Sequence, residues 1–241
     1  MYDFASVRGS TDRFWQSIRT GLGQGPDELC RDLDVWDAWA RPDLLLSQTC
    51  GLPYRSRLHG KVVIVGTPDY GLPGCGPGEY NSVFLARECD PRETLPDFDG
   101  ARIAVNSQSS QSGWAGPIMH ARAKGVGFAE AIKSGAHVKS ADAVINGTAD
   151  IAAIDALSWR FIHAEEAFAA ELKVIDATPP TPGLPYITAL DRDTGAIFDA
   201  IEQAIATLSD HDRAALCLNG LVRIEPEAYL AVPTPPPPRF N

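Results

Sequence analysis

Apolar residues recur along this chain in two spacings, one helical and one extended. Phe14, Ile18 and Leu22 stand four residues apart behind Ser10, which predicts an amphipathic helix with a serine cap, closed by Gly21 and Gly23. Pro26 suits the first turn of a second helix, with Leu29, Leu33 and Trp36 on one face. The run DLLLSQ (43–48) is short and continuously apolar, and Gly51 and Pro53 follow it at once. KVVIVGTP (61–68) is β-branched between Gly60 and Pro68, the strongest strand pattern in the first third of the chain. YNSVFLAR (80–87) is a further strand, entered through the turn-rich GLPGCGPGE.

From about residue 90 the alternation becomes regular. ARIAVN (101–106) predicts a strand and SGWAGPIMHARAKG (112–125) a helix, in which Pro117 fits only near the first turn. VKSADAVINGTAD (138–150) predicts a helix with Gly147 at its C-terminus, and IAAIDAL (151–157) a buried strand. SWRFIHAEEAFAAE (158–171) is helical and LKVIDAT (172–178) extended. Strands alternating with helices of this length imply parallel sheets covered by helices, so the chain is α/β. Beyond the proline cluster at 179–185 come a strand, YITAL, and the clearest amphipathic helix, marked by Ile197, Phe198, Ile201, Ile205 and Leu208. A short helix, HDRAALCLN (211–219), and an extended surface tail, VPTPPPPRFN, complete the pattern. The regular central block reads as an insertion between two outer pieces.

Composition narrows the function. The 241 residues suffice for a core that needs no disulfide or metal. Hydrophobic residues at 44% and charged residues at 22% exclude a largely disordered chain. No apolar run is long enough for a membrane span. A net charge of −10 argues against nucleic acid as a partner. The five cysteines contain no CxxC pair, which excludes a zinc ribbon or thioredoxin motif, and are expected to be reduced and mostly buried. The segment MYDFASVRGSTDRFW lacks a charged stretch followed by an apolar one, which predicts a cytoplasmic protein.

Candidate chemistry gathers at strand exits. In AVNSQSSQSGWAG (104–116) a loop with Ser107, Ser109, Ser110, Gln111 and Ser112 lies between a buried strand and a helix opened by Gly113. A helix start leaves N–H groups unpaired and carries partial positive charge, so added hydroxyls make a neutral oxyanion site. A plain serine N-cap needs only one of these groups. The loop is not GxxxxGK[ST], so nothing supports nucleotide hydrolysis. His137 precedes a predicted helix; a lone histidine is more often structural, but it falls at a strand exit as the serine loop does. Asp155 ends a strand and serves equally well as a ligand contact or as the cap of the next helix. LLLSQTCGLPY (44–54) repeats the strand, polar loop and glycine order with Ser47, Gln48, Thr49 and Cys50. Cys50 would need a base such as His59 to act as a nucleophile. Tyr80 is placed either to stack on a ligand or to serve as an ordinary strand aromatic.

In that order LLLSQTCGLPY, the VGTP turn, YNSVFLAR, AVNSQSSQSGW, SGAHVKSADAVINGTADIAAIDALSW and TPGLPYIT resemble the PhnD-like phosphate, phosphite and phosphonate-binding proteins of ABC transporters. The resemblance runs from about residue 2 to 190. It implies a two-lobed type II periplasmic-binding-protein fold, each lobe a mixed, mostly parallel sheet flanked by helices. Residues 1–88 plus 177–241 would form a discontinuous first lobe and 89–176 an inserted second one. It also implies a small oxyanion ligand held by Ser110, Gln111, Ser112, His137 and Asp155 from the inserted lobe, with Gln48, Thr49, Tyr80 and Tyr2 from the other. Gln111 stands where the family has threonine, which alters the size of the pocket. Relatives carry a short apolar strand just before a segment like MYDF. No cofactor and no catalytic residue is implied; the partner is a transporter permease, the protein a monomer, and the compartment the periplasm. The same fold also hosts enzymes of thiamine-pyrimidine and menaquinone synthesis, which Cys50, His137 and Asp155 keep in view. A cytoplasmic sensor using the proline-rich tail is the third reading.

Overall fold

The structure, a computed structural model, describes residues 2–240. In chain order its elements are α1 (Arg8–Leu22), α2 (Val35–Trp39), β1 (Ser47–Gln48), α3 (Gly51–Pro53), β2 (Val62–Asp69), β3 (Glu79–Tyr80), β4 (Ser82–Arg87) and β5 (Arg102–Val105). Then follow α4 (Gly116–Ala123), β6 (Glu130–Lys133), α5 (His137–Ile145), β7 (Ile151–Asp155), α6 (Ala156–Glu165), β8 (Leu172–Ala177), β9 (Thr181–Pro182) and β10 (Tyr186–Ala189). The last are α7 (Thr194–Ala206), α8 (Asp210–Leu216), β11 (Gly220–Val222) and α9 (Pro226–Leu230).

The chain divides into two compact units. One comprises the residues up to Glu79 with Pro182–Leu230, the other Tyr80–Thr181 with the segment from Ala231 onward. The divisions therefore fall at 79/80 and 181/182, where β3 and β9 form a two-stranded ladder, and not at 88/89 and 176/177 as the sequence suggests. The reason is β4, which pairs with both β7 and β8 and so belongs wholly to the inserted unit.

In the first unit the sheet order is β1-β10-β2-β11, and every pairing is antiparallel. The expected parallel strands exist as directions only: β1 and β2 run the same way, but the returning β10 is inserted between them. Side chains alternate across β2, so Val65 faces Phe14, Trp15 and Ile18 of α1 and Ile197 and Ile201 of α7. Val62 and Ile64 turn to the other face, toward Trp39, Tyr54, Ile187 and Tyr229. Burying each such side chain is worth about 1.5–3 kcal/mol.

Two helix expectations change here. Ser10 does not cap α1; it lies buried within the first turns and accepts from Arg13 Nη2 at 3.2 Å. Gly23 does end that helix, at φ 64°. The helix expected from Pro26 does not form. The carbonyls of Pro26 and Asp27 instead accept from Trp15 Nε1 and Gln16 Nε2, which ties the segment to α1 as coil. Helix α2 begins only at Asp34, whose carboxylate accepts from Trp36 N at 2.8 Å.

The second unit holds a five-stranded sheet in the order β6-β5-β7-β4-β8. Strand β5 pairs parallel with β6 and β7, while β4 pairs antiparallel with β7 and β8. The sheet is thus mixed rather than mostly parallel. All of β7 is buried, and Phe84, Leu85, Ile103, Val105 and Ile154 are fully enclosed. The edge strand β6, EAIK, is too short and polar to be read from pattern alone. The tail is not a free surface segment: it groups with this unit, and Pro235 and Pro238 are buried. The thiols also differ from expectation. All five are free, but only Cys50 is buried, while Cys30 and Cys89 are exposed. Among the described residues no helix is long and apolar enough to cross a membrane.

Candidate functional site

In the second unit the exit of β5 builds the site. After Val105 the chain turns through Asn106 and Ser107 to Ser110, whose backbone is extended (φ −84°, ψ 127°). Its Oγ accepts from Gly113 N at 2.9 Å, a capping bond. Residues Gln111–Ala115 form a wide π turn closed by Ala115 N donating to Ser110 O at 3.0 Å, and α4 continues it with Pro117 in the first turn. Wide turns of this kind recur at functional sites. Ser110, Gln111 and Ser112 are all buried at this positive helix end.

Strand β6 delivers the second component. Ser134, just past it, donates its N–H to Val105 O at 2.9 Å, so the exits of β5 and β6 are bonded to each other. His137 then opens α5, and its Nε2 lies 3.1 Å from Ser112 Oγ. Burial pushes the imidazole down to about 4, so it is neutral at pH 7. Its Nδ1 is sealed from solvent and has no hydrogen-bond partner among the described residues, although the residue keeps some accessible surface. A histidine next to a serine hydroxyl resembles a base and a nucleophile. Among the described residues no group orients Nδ1 as the third member of such a pair would. A hydroxyl and a neutral imidazole are well suited to hydrogen-bond an oxyanion.

Asn106 belongs to the same neighbourhood, and sequence reasoning missed it. Its Oδ1 is buried and unpartnered, and a Cβ placed on Gly113 would lie 2.0 Å from it. Only glycine at 113 leaves that amide its position. The signal available was its place, at the strand exit immediately ahead of the serines. Asp155, 2% exposed, ends β7 opposite Ser82 and caps α6 by accepting from Ser158 N at 2.8 Å. The cap is therefore real, whatever else the carboxylate does. Tyr80 is buried, two residues before Ser82 in the chain.

In the first unit Gln48 and Tyr2 meet on a residue not anticipated, Tyr70. Gln48 Nε2 donates to Tyr70 Oη at 3.2 Å and to Leu184 O at 3.0 Å, and the Tyr2 ring stands edge-on to Tyr70 at 5.3 Å. Thr49 is fully buried. Its N–H donates to Pro185 O at 3.0 Å, and its hydroxyl has no partner. Cys50 leads into α3, while the His59 ring lies edge-on to Tyr54 at 5.9 Å. Among the described residues no cluster of His, Cys, Asp and Glu could hold a metal ion.

Residues 47–228 match the family model of the ABC transporter phosphonate periplasmic substrate-binding proteins. The chain belongs to this family. Its members bind solutes for transport; they work with permease and ATPase components and take small phosphonate ligands. No curated protein matches the chain in sequence. Among solved structures, PhnD1 from Prochlorococcus marinus in complex with methylphosphonate superposes with a TM-score of 0.74 at 17% identity, covering 93% of this chain and 89% of that one. A binding protein component of an ABC phosphonate transporter (PA3383) from Pseudomonas aeruginosa gives 0.68 at 17% identity, over 90% and 76%. XAC2383 from Xanthomonas citri bound to chloride gives 0.67 at 16%, over 95% and 90%. These likenesses establish the fold, the two-lobed type II periplasmic-binding-protein fold.

Proposed function

We propose that this family member binds a small oxyanion of the phosphonate, phosphite or phosphate type, as the monomeric substrate-binding component of an ABC transporter on the periplasmic side of the membrane. The observation that carries the reading is the buried Ser110–Ser112 turn with Ser112 hydrogen-bonded to a neutral His137. Hydroxyls at a helix start and an imidazole that stays uncharged hold an anion by directed hydrogen bonds. The unpartnered Nδ1 of His137 is a further hydrogen-bonding position for the bound anion. Tyr2, Gln48, Thr49, Tyr80, Gln111 and Asp155 are assigned as the remaining ligand contacts. Of these, the unpartnered hydroxyl of Thr49 has the strongest chemical reason to meet a ligand.

PhnD1 was solved with methylphosphonate, which makes that compound the first ligand to try here. Isothermal titration against methylphosphonate, phosphite, phosphate and methanesulfonate tests the reading. Saturable binding of at least one phosphorus oxyanion is expected, weakened about tenfold or more by Ser112→Ala, because a charge-assisted hydrogen bond is worth about 1.5–3 kcal/mol. Silence for every oxyanion would overturn it.

A further inference from the structure

The C-terminal segment is built as a strap on the second unit. It follows α9, the last element of the first unit, yet from Ala231 onward it groups with the second. Within VPTPPPPRF, Pro235 and Pro238 are buried, while Pro236 and Pro237 between them are exposed. That spacing matches one face of a polyproline helix, which has three residues per turn and leaves its carbonyls for outside donors. The expected donor is present: Trp114 Nε1 donates to Pro236 O at 3.0 Å. Further along, Phe240 is half-buried and forms a parallel bridge with Ala131 of β6, the edge strand of the sheet.

These two anchor points fall on the two segments that make the candidate site. Trp114, 9% exposed, lies in the same π turn as Gln111 and Ser112. Ala131 lies in the strand whose exit carries His137. The tail therefore touches the support of each partner in the Ser112–His137 hydrogen bond. A preordered prolyl segment spends little entropy on docking, so even a few contacts hold it down.

We propose that residues 231–240 act as an intramolecular strap, docking as a proline helix across the Trp114 turn and the β6 edge and so holding the Ser110–Ser112 turn and His137 in binding register. By linkage, a bound ligand must then tighten the strap by the same factor that the strap tightens the ligand. The part of this that concerns ligand rests on the function proposed above; the docking and its effect on local order do not.

The test compares the full chain, the chain ending at Leu230, and the full-length variants Trp114→Phe and Pro235→Ser/Pro238→Ser. Hydrogen exchange of the peptides spanning 107–118 and 128–140 is followed without ligand, alongside circular dichroism and methylphosphonate titration. Truncation is expected to speed exchange in both peptides ~10-fold or more with the rest of the chain protected. Trp114→Phe, which keeps the ring and removes the donor, should speed exchange in the first peptide about fivefold, the equivalent of one neutral hydrogen bond. Methylphosphonate affinity should fall in the same order. Adding the 231–241 peptide to the truncated chain should restore protection. If truncation unfolds the chain, the two full-length variants carry the test on their own. Unchanged exchange in both peptides for those variants overturns the strap. Absence of methylphosphonate binding in every form, with altered exchange, overturns the proposed function and leaves the strap standing.

Discussion

Replacing His137 by glutamine should flatten the acid side of the stability curve. The imidazole titrates near 6.5 in the unfolded chain and is pushed down to about 4 by burial in the native one. Between these values the unfolded state takes up a proton that the folded state refuses, so stability falls as the pH is lowered. Nothing is lost above about pH 7, where both forms are neutral. Below that the cost rises by ~1.4 kcal/mol per pH unit, reaching about 2 kcal/mol at pH 5 and levelling off once the folded-state value is passed. The residue keeps some accessible surface, which brings the expectation at pH 5 to about 1–2 kcal/mol. The carboxylates do not obscure this window. Arg92 holds Asp90 down at about 2, and Arg102 lowers Asp150, so their contributions are present above the ordinary carboxylate range and vanish only in stronger acid. The assay is urea unfolding of the parent and His137→Gln at half-unit steps from pH 7.5 to 4.5. The expected result is a difference in unfolding free energy that shrinks steadily below pH 6.5 as the parent loses its advantage. A pH-independent difference would show that His137 is not held neutral by its surroundings, and would remove the electrostatic argument for a neutral oxyanion site.

Gly113→Ala places a methyl 2.0 Å from Asn106 Oδ1 and 3.2 Å from Ser110 Oγ, and should cost about 1–3 kcal/mol in thermal or urea unfolding; adding Asn106→Ala should recover much of that in a double-mutant cycle. Asp155→Ala should lose about 1 kcal/mol by removing the cap on Ser158 N, whereas Asp155→Asn keeps an acceptor and should stay within a few tenths; a fall in oxyanion affinity for Asp155→Asn alone would then report a ligand contact. Gly183→Ala brings a methyl 2.8 Å from the Gly78 carbonyl, a backbone atom that cannot swing aside, so a lowered urea midpoint is expected with an unchanged slope.

What could be read along the chain was the chemistry that closes within a few residues. Gly23 ending α1, Ser110 and Asp155 as caps, and Pro117 in a first turn all depend on neighbours a turn away. Ser10 is passed over as a cap because α1 already begins at Arg8, and the segment from Pro26 departed from its local pattern because side chains eleven residues away, Trp15 and Gln16, hold the carbonyls of Pro26 and Asp27. Strand direction was equally out of reach. Nothing in YITAL says that it will lie between β1 and β2, and that one placement turns an expected parallel sheet into an antiparallel one.

The same distinction explains the candidate site. Ser112 and His137 were each visible as a polar residue at a strand exit, but their hydrogen bond spans 25 residues and depends on a strand that the pattern did not reveal. Parallel pairing of β5 with β6 sets Val105 opposite Lys133, and the bond from Ser134 N to Val105 O fixes the two exits at the same level. A one-residue slip of β6 would turn every side chain on it to the other face and withdraw Ser134 from that bond. The short, polar β6 has little apolar area of its own to resist such a slip. Its register is held by backbone pairing to β5 on one side and by the Phe240 bridge on the other. An edge strand whose exit leads to a candidate site residue, His137, has reason to be covered, and in this chain Phe240 of the proline-rich tail pairs with it at Ala131.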